Sequence, residues 1–321
     1  MQPNFLHHHK QFRQLVEITA SELSINEPSL VEKDYWITHC LWGLQKAGLS
    51  FELKGGTSLS KGYKIIHRFS EDIDIHIEPP AGIEMGFELY VGKNHDKPMH
   101  KQSRRKYFDW LAQFLQGKID GLSSVVRDAN FDDDKFRSGG LRLNYKSHFQ
   151  AIPGLKEGIL LEVGFDRTTP NQARTITSWI LNRALKAKVE VIENSAIGVL
   201  CYEPQYTFVE KLQAVIRKFK IYRERGTVPK NFMRHYYDIY HLLKLKGVRD
   251  FIATEEYVKY KKERFGGDDI VIANSDAFKL QDTKEALLFE KEYGKTRALY
   301  YRGQIELKEI LNYVGIYLNR L

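Results

Sequence analysis

The chain has 321 residues, of which 42% are hydrophobic and 28% are charged. These proportions are typical of a globular protein that buries its core without disulfides or a structural metal. The net charge of +8 favours an anionic partner such as nucleic acid or a nucleotide, although solubility alone also accounts for it.

Two cysteines, Cys40 and Cys201, do not make a disulfide framework. The N-terminus lacks the apolar core of a signal peptide, and no apolar run reaches the ~20 residues of a membrane span. We therefore predict a cytoplasmic protein with no membrane partner.

The first part of the chain predicts helices followed by strands. Apolar residues recur at helical spacing between residues 8 and 46, and residues 50–54 predict a short strand that ends at Gly55-Gly56. A short helix follows, and the sequence then alternates with the period of a strand. One face of this strand carries Ile73, Ile75 and Ile77, and the other carries Asp72, Asp74 and His76.

Further strands and helices are predicted downstream. Residues 103–120 predict a helix, and residues 141–149 and 158–165 predict two strands that are antiparallel to each other. From about residue 206 the pattern becomes helical, and residues 285–320 add one or two more helices. The predicted fold is therefore α/β (α+β), a small mixed twisted sheet with an N-terminal helical arm and a C-terminal helical bundle. The predicted domains are residues 1–205, which hold the arm and the catalytic core, and residues 206–321.

The strongest candidate for chemistry is the pair of segments KGGTSLSK (54–61) and SEDID (70–74). Two glycines after a strand let the backbone approach a phosphate, and the following helix N-terminus offers free N–H groups. We predict that nucleotide binding uses Gly55, Gly56, Thr57, Ser58 and Lys61. A P-loop is excluded because Ser60 stands where its second glycine would be needed.

Asp72 and Asp74 are predicted metal ligands. Carboxylates at positions i and i+2 of a strand face the same side, and such a pair can bind two divalent cations for an in-line displacement at phosphorus. The oxygen ligands favour Mg²⁺ (or Mn²⁺). The alternative is an ordinary solvated strand face.

The same segments resemble a known family. KGGTSLSK followed by FSEDIDI is similar to the AbiEii/AbiGii-type nucleotidyltransferase toxins of the DNA polymerase β-like superfamily. Three more segments resemble that family: VEKDYW (31–36), FVEKLQAVIRKF (208–219) and RHYYDIY (234–240). The resemblance covers roughly residues 28–245.

The resemblance implies further site residues. Lys211 would contact the triphosphate of the donor nucleotide, with the alternative of a surface lysine. Asp238 would be a catalytic residue that orients Lys211 or the acceptor hydroxyl, with the alternative of a structural salt bridge. A third metal-binding carboxylate is expected from a neighbouring strand, and Glu162 is the candidate, although the superfamily often has Asp there. An outward Glu on an alternating strand would look identical, and Asp166 is the second choice.

The resemblance also implies an activity. A toxin of a toxin–antitoxin or phage-defence system would transfer a nucleoside monophosphate from a nucleoside triphosphate to an acceptor hydroxyl, and the tRNA 3′ end is the expected acceptor. A cognate antitoxin is an expected partner. The alternatives are a nucleotidyltransferase acting on a protein or small molecule, and a binding module without turnover.

Three other features have two interpretations each. The basic, aromatic-containing segments 101–108 and 217–226 suit RNA, or are the charged faces of ordinary helices. Arg68 is predicted either to contact phosphate or to lie on the surface. His7-His8-His9 is predicted to be a solvated N-terminus, because adjacent histidines on a helix point in different directions.

Overall fold

A computed structural model of the chain describes residues 3–79, 82–92, 96–150, 155–166, 168–266 and 271–321. The chain divides into two compact units. The first, called the sheet unit below, comprises Met1–Tyr63 and Phe69–Tyr202. The second, the helical unit, comprises Lys64–Arg68 and Glu203–Leu321. Whether the predicted domains 1–205 and 206–321 fold independently stays a prediction.

The sheet unit is built on a seven-stranded mixed sheet within the described ranges. The strands in chain order are β1 Phe51–Lys54, β2 Asp72–Ile77, β3 Leu122–Asp128, β4 Ser138–Tyr145, β5 Ile159–Gly164, β6 Asn171–Ile176 and β7 Ala196–Tyr202. They lie in the order β3-β4-β5-β2-β1-β7-β6. The pairs β2–β5 and β1–β7 are parallel, whereas the other neighbours are antiparallel. The predicted mixed α/β fold and the antiparallel pairing of β4 with β5 are confirmed.

The two edge strands, β3 and β6, had no prediction from the sequence. Their side chains are mostly half-buried or exposed. An edge strand that covers little apolar surface has no strict hydrophobic alternation, so its sequence pattern is weak.

Helices occur in both units. Those of the sheet unit are α1 Phe12–Glu22, α2 Pro28–Lys46, α3 Gly55–Thr57, α4 Pro98–Leu115 and α5 Trp179–Lys186. The helix predicted at residues 103–120 therefore begins and ends earlier than its pattern suggested. A π-helical turn, Ser58–Gly62, continues α3. Helix α2 begins with a proline, whose fixed φ suits the first turn, and it is buried along almost its whole length.

The helical unit contains the remaining helices. They are α6 Pro204–Arg225, α7 Arg234–Leu243, α8 Lys246–Phe251, α9 Glu255–Arg264, α10 Thr283–Gly294 and α11 Leu307–Gly315. The predicted helical C-terminal half is confirmed. Helix α6 is followed by Gly226, which adopts the left-handed conformation common after helices. Among the described residues, no helix is long and apolar enough to cross a membrane.

Strand β2 lies inside the sheet, between β5 and β1. Ile73, Ile75 and Ile77 are at most 1% exposed, so the apolar face of β2 belongs to the core as the alternation predicted. This burial fixes which face Asp72 and Asp74 occupy, because a one-residue shift in register would exchange the two faces.

Candidate active site

Three carboxylates come together on β2 and β5. Asp74 is the register partner of Glu162 on the parallel strand β5 and of Lys54 on the antiparallel strand β1. Register partners project to the same face of a sheet, so these side chains form one row. Asp72 lies two residues before Asp74 on the same face. The structure thus brings together the three predicted metal ligands, Asp72, Asp74 and Glu162. Asp166, the second choice, lies exposed beyond the end of β5.

The proximity of these carboxylates changes the acidity of Glu162. Burial, the negative charges of Asp74 and Asp72, and a hydrogen bond with Asp74 raise the pKa of Glu162 from 4.5 to about 8, against the opposing effect of Lys156. A carboxyl in this state shares a proton with its neighbour rather than adding a third negative charge. A group of hard oxygen donors with excess negative charge fits a divalent cation.

Gly55 leaves room for the Asp74 carboxylate. Its φ is +69°, in the left-handed region that favours glycine. A Cβ at this position would lie 2.2 Å from Asp74 Oδ2. Any side chain here would therefore displace the carboxylate that lies opposite Glu162. The requirement for glycine comes from Asp74 as well as from the turn out of β1.

The hydroxyl and ammonium groups after Gly55 make contacts inside the protein. Thr57 Oγ1 donates to the backbone oxygen of Asp72, and both Thr57 and Ser58 are fully buried. Lys61 forms an ion pair with Asp34, whose second oxygen accepts a hydrogen bond from the backbone N–H of Trp179 at 2.9 Å. These contacts fasten the turn to β2 and to α2. The predicted nucleotide contacts of Thr57, Ser58 and Lys61 stay predictions.

Lys156 is a candidate site residue that sequence reasoning missed. Its Nζ lies 3.0 Å from Asp72 Oδ1 and 3.1 Å from Oδ2. The same ammonium group lies 4.5 Å from the centre of the Phe131 ring. Lys156 therefore neutralises part of the negative charge of the carboxylate group. No local pattern in the sequence marks it, because 84 residues separate it from Asp72.

Residues from α2 and from the turn before β2 hold the backbone of Lys156. Its N–H donates to Glu71 Oε2 at 2.8 Å, and its carbonyl oxygen accepts from Lys33 Nζ. Lys33 also lies 3.6 Å from Glu71, and burial lowers the pKa of Lys33 to about 8. The segment VEKDYW thus acts here as support, since Lys33 positions Lys156 and Asp34 positions Lys61.

A second charged cluster lies in the helical unit. Arg68 donates two hydrogen bonds of 2.7 Å to the two oxygens of Asp238, and Lys211 Nζ lies 2.9 Å from Asp238 Oδ2. Burial raises the pKa of Asp238, but Arg68 and Lys211 outweigh this effect and hold the pKa well below its usual range. Asp238 therefore contacts Lys211, one of the two groups that it was expected to orient, and the orienting role itself stays a prediction. The interpretation of Arg68 as a surface residue is wrong, because the side chain is buried against Asp238; its contact with phosphate stays a prediction.

The basic segment 101–108 and the three N-terminal histidines each contain a buried side chain as well as exposed ones. In segment 101–108, Arg104 is fully buried and donates to the backbone oxygens of Tyr90, Lys135 and Phe136, whereas Arg105 and Lys106 are exposed. The prediction that the three histidines are solvated is wrong for His7, whose side chain is 4% exposed. The N-terminal turn packs against α2, and this contact buries the side chain of His7.

The model of the family described as nucleotidyl transferase AbiEii toxin, type IV toxin–antitoxin system, matches residues 41–312. The chain belongs to the AbiEii family. A search of curated proteins gave no match. The match includes the carboxylates on β2 and β5, Lys156 and the Arg68–Asp238–Lys211 cluster. It also extends well beyond residue 245, where the resemblance found in the sequence had ended. As a member of the AbiEii family, the chain is a nucleotidyltransferase toxin of a type IV toxin–antitoxin system.

Proposed function

We propose that this AbiEii-family protein transfers a nucleoside monophosphate from a nucleoside triphosphate to the 3′ end of tRNA, using divalent cations held by Asp72, Asp74 and Glu162. One observation carries the proposal: the register of β2 and β5 places Glu162 opposite Asp74, and Gly55 leaves space at the same carboxylate. A purely structural group of three carboxylates would gain nothing from this mutual repulsion.

The donor set suits Mg²⁺ or Mn²⁺, since all three ligands are carboxylates. When bound, such cations supply charge that stabilises the attacking and leaving oxygens of an in-line displacement. The chain's own residues position the reacting groups. Asp72 and Asp74 face the same side of β2, and Glu162 can give up its proton when the local charge becomes positive.

Lys156 and the glycine turn contribute to the same site. We infer that Lys156 balances the charge of Asp72 in the protein without a nucleotide and then turns to the triphosphate as the nucleotide binds, because a flexible ammonium can exchange one anionic partner for another. The turn at Gly55-Gly56 gives the phosphates access to backbone N–H groups. The contact of Lys211 with the triphosphate and the orienting role of Asp238 stay predictions.

An RNA acceptor agrees with the distribution of charge in each unit. Arg105 and Lys106 on α4 are exposed in the sheet unit, and Arg217 and Lys220 on α6 are exposed in the helical unit. Exposed basic residues bind the phosphate backbone without regard to sequence. The net charge of the chain, +8, is also positive and favours binding to the phosphates of RNA. We further propose that a cognate antitoxin controls the activity and that the system serves phage defence.

The test is transfer of label from nucleoside triphosphates radiolabelled in the α-phosphate. The purified protein is incubated with Mg²⁺, total tRNA and each triphosphate in turn. The isosteric double variant Asp72→Asn, Asp74→Asn removes the charges and keeps the shapes, and Glu157→Gln is a matched control with an exposed carboxylate. We expect label in tRNA from one triphosphate with the wild type and Glu157→Gln, and none with the double variant.

Other outcomes separate the alternatives. Label in protein or in a small molecule, but not in tRNA, would keep the transfer chemistry and reject the acceptor. Nucleotide binding without any transfer, in the presence of every acceptor, would favour a binding module without turnover. Label that persists in the double variant would reject the assignment of Asp72 and Asp74.

A further inference from the structure

Two imidazoles and a carboxylate converge at the N-terminal turn of the sheet unit. His7 Nε2 lies 2.7 Å and His8 Nε2 lies 2.5 Å from the same atom, Asp120 Oδ1. All three ligand atoms lie within 4.8 Å of one another. We propose that His7, His8 and Asp120 bind a transition-metal ion of the Zn²⁺ type. His7 and His8 lie outside residues 41–312, which the family model matches, and Asp120 lies within them; none of the three belongs to the proposed active site.

The surroundings of His7 fix its orientation. Its Nδ1 lies 2.7 Å from the hydroxyl oxygen of Tyr35, and its ring stacks on Phe5 with centroids 5.4 Å apart. The ring also lies against Trp36 at 4.8 Å. A hydrogen bond to the second nitrogen of a ligating histidine sets its tautomer and aims the first nitrogen at the metal. The hydroxyl oxygen of Tyr35 can accept a hydrogen bond from Nδ1–H of His7, which leaves Nε2 without a proton and free to bind the metal.

Gly121 brings the carboxylate to His7. Its φ is +76°, and a Cβ at this position would lie 2.6 Å from His7 Nε2 and 2.7 Å from the Trp36 ring. The connection between α4 and β3, which carries Asp120, can therefore approach the histidines only with glycine at this position.

The other two ligands have freedom to adapt. The side chains of His8 and Asp120 are 40% and 47% exposed. Ligands of a tetrahedral Zn²⁺ at about 2.0–2.1 Å from the ion lie roughly 3.3 Å from one another. Asp120 must therefore retreat by less than about 1 Å from each imidazole, and its exposure allows this. Water can complete the coordination from the open side.

The ligand chemistry selects the class of metal. Imidazole nitrogen favours Zn²⁺, Ni²⁺ and Cu²⁺ over Mg²⁺, which takes all-oxygen sites. A bound ion would join the N-terminal turn to a connection more than a hundred residues later in the chain, as the separation of 113 between His7 and Asp120 shows.

The test is calorimetric titration of the full chain with ZnCl₂ after removal of metals by a chelator. All proteins carry Asp72→Asn and Asp74→Asn, so that Zn²⁺ bound by the catalytic carboxylates does not contribute. His8→Ala and Asp120→Asn change exposed side chains of the site, and His9→Ala is the matched control, because His9 is an exposed neighbour without contact to Asp120. Circular dichroism checks that each variant is folded.

We expect saturable one-to-one binding that His9→Ala leaves unchanged and that His8→Ala and Asp120→Asn each weaken about tenfold or more. The thermal midpoint should rise with Zn²⁺ in the parent and His9→Ala proteins only, because an ion that binds the native state stabilises it. Absence of saturable binding, or equal binding by the parent, His8→Ala and Asp120→Asn proteins, would overturn the proposal.

Discussion

Replacing Asp238 with Asn should strongly destabilise the helical unit. Asp238 is 0% exposed and accepts two hydrogen bonds of 2.7 Å from Arg68, which is 3% exposed. Lys211 lies 2.9 Å away on the other side. Removing the carboxylate charge leaves two cations facing a neutral amide in a buried setting. Breaking a buried ion pair from one side costs about 3–5 kcal/mol. This corresponds to a fall in the thermal midpoint of roughly 10–20 °C for a unit of this size.

The assay is thermal unfolding followed by circular dichroism and by intrinsic fluorescence. Asp250→Asn is the matched control in the same unit, because Asp250 pairs with Lys246 at 2.6 Å but both side chains are exposed. An exposed pair contributes about 0–1 kcal/mol, so this control should change the midpoint little. The double variant Arg68→Met, Asp238→Asn should recover part of the loss, because no unpaired guanidinium remains.

The stability that the Asp238 carboxylate contributes should fall as the pH becomes acidic. Since the pKa of Asp238 is lowered from 3.8 in the folded protein, its contribution to stability is fully present above pH 3.8. It is lost as the pH falls further and the carboxylate is protonated. The difference between wild type and Asp238→Asn should be constant near neutral pH and shrink in acid. Two results would refute the role of the buried ion pair. One is a fall in the thermal midpoint of Asp238→Asn no larger than that of Asp250→Asn. The other is a double variant, Arg68→Met with Asp238→Asn, whose midpoint falls by the sum of the two single changes.

Three further predictions concern the sheet unit. Gly55→Ala should abolish transfer, measured with labelled triphosphate, because a Cβ would lie 2.2 Å from Asp74 Oδ2; activity near that of wild type would contradict the steric argument. Glu162→Gln should abolish transfer yet raise the thermal midpoint of chelator-treated protein at neutral pH, because Glu162, whose pKa rises from 4.5 to about 8 on folding, must take up a proton when the chain folds and Gln need not; a lower midpoint would indicate a structural role. Lys156→Met should bind Mn²⁺ more tightly in calorimetry, because the ammonium that competes for Asp72 is gone; weaker binding would show that Lys156 supports the metal site.

The sequence alone determined the features that depend on neighbouring residues. A Gly-Gly turn after a strand and carboxylates at positions i and i+2 follow from backbone geometry and from the period of a strand. The alternation of Ile73 and Ile75 with Asp72 and Asp74 needed no tertiary information. The resemblance to the AbiEii family rested on such local segments, and the match to residues 41–312 confirmed it.

Only the tertiary structure decided which distant groups meet. The parallel register of β2 and β5 places Glu162 opposite Asp74, and a connection 84 residues away brings Lys156 to Asp72. Arg68 finds Asp238 at a separation of 170 residues. Hydrophobic periodicity reports which face of an element is buried, but not which strand or loop lies against its polar face. Strand order, register and chain reversal set those contacts, so the sequence did not show that Lys156 meets Asp72, that Arg68 meets Asp238 or that His7 meets Asp120.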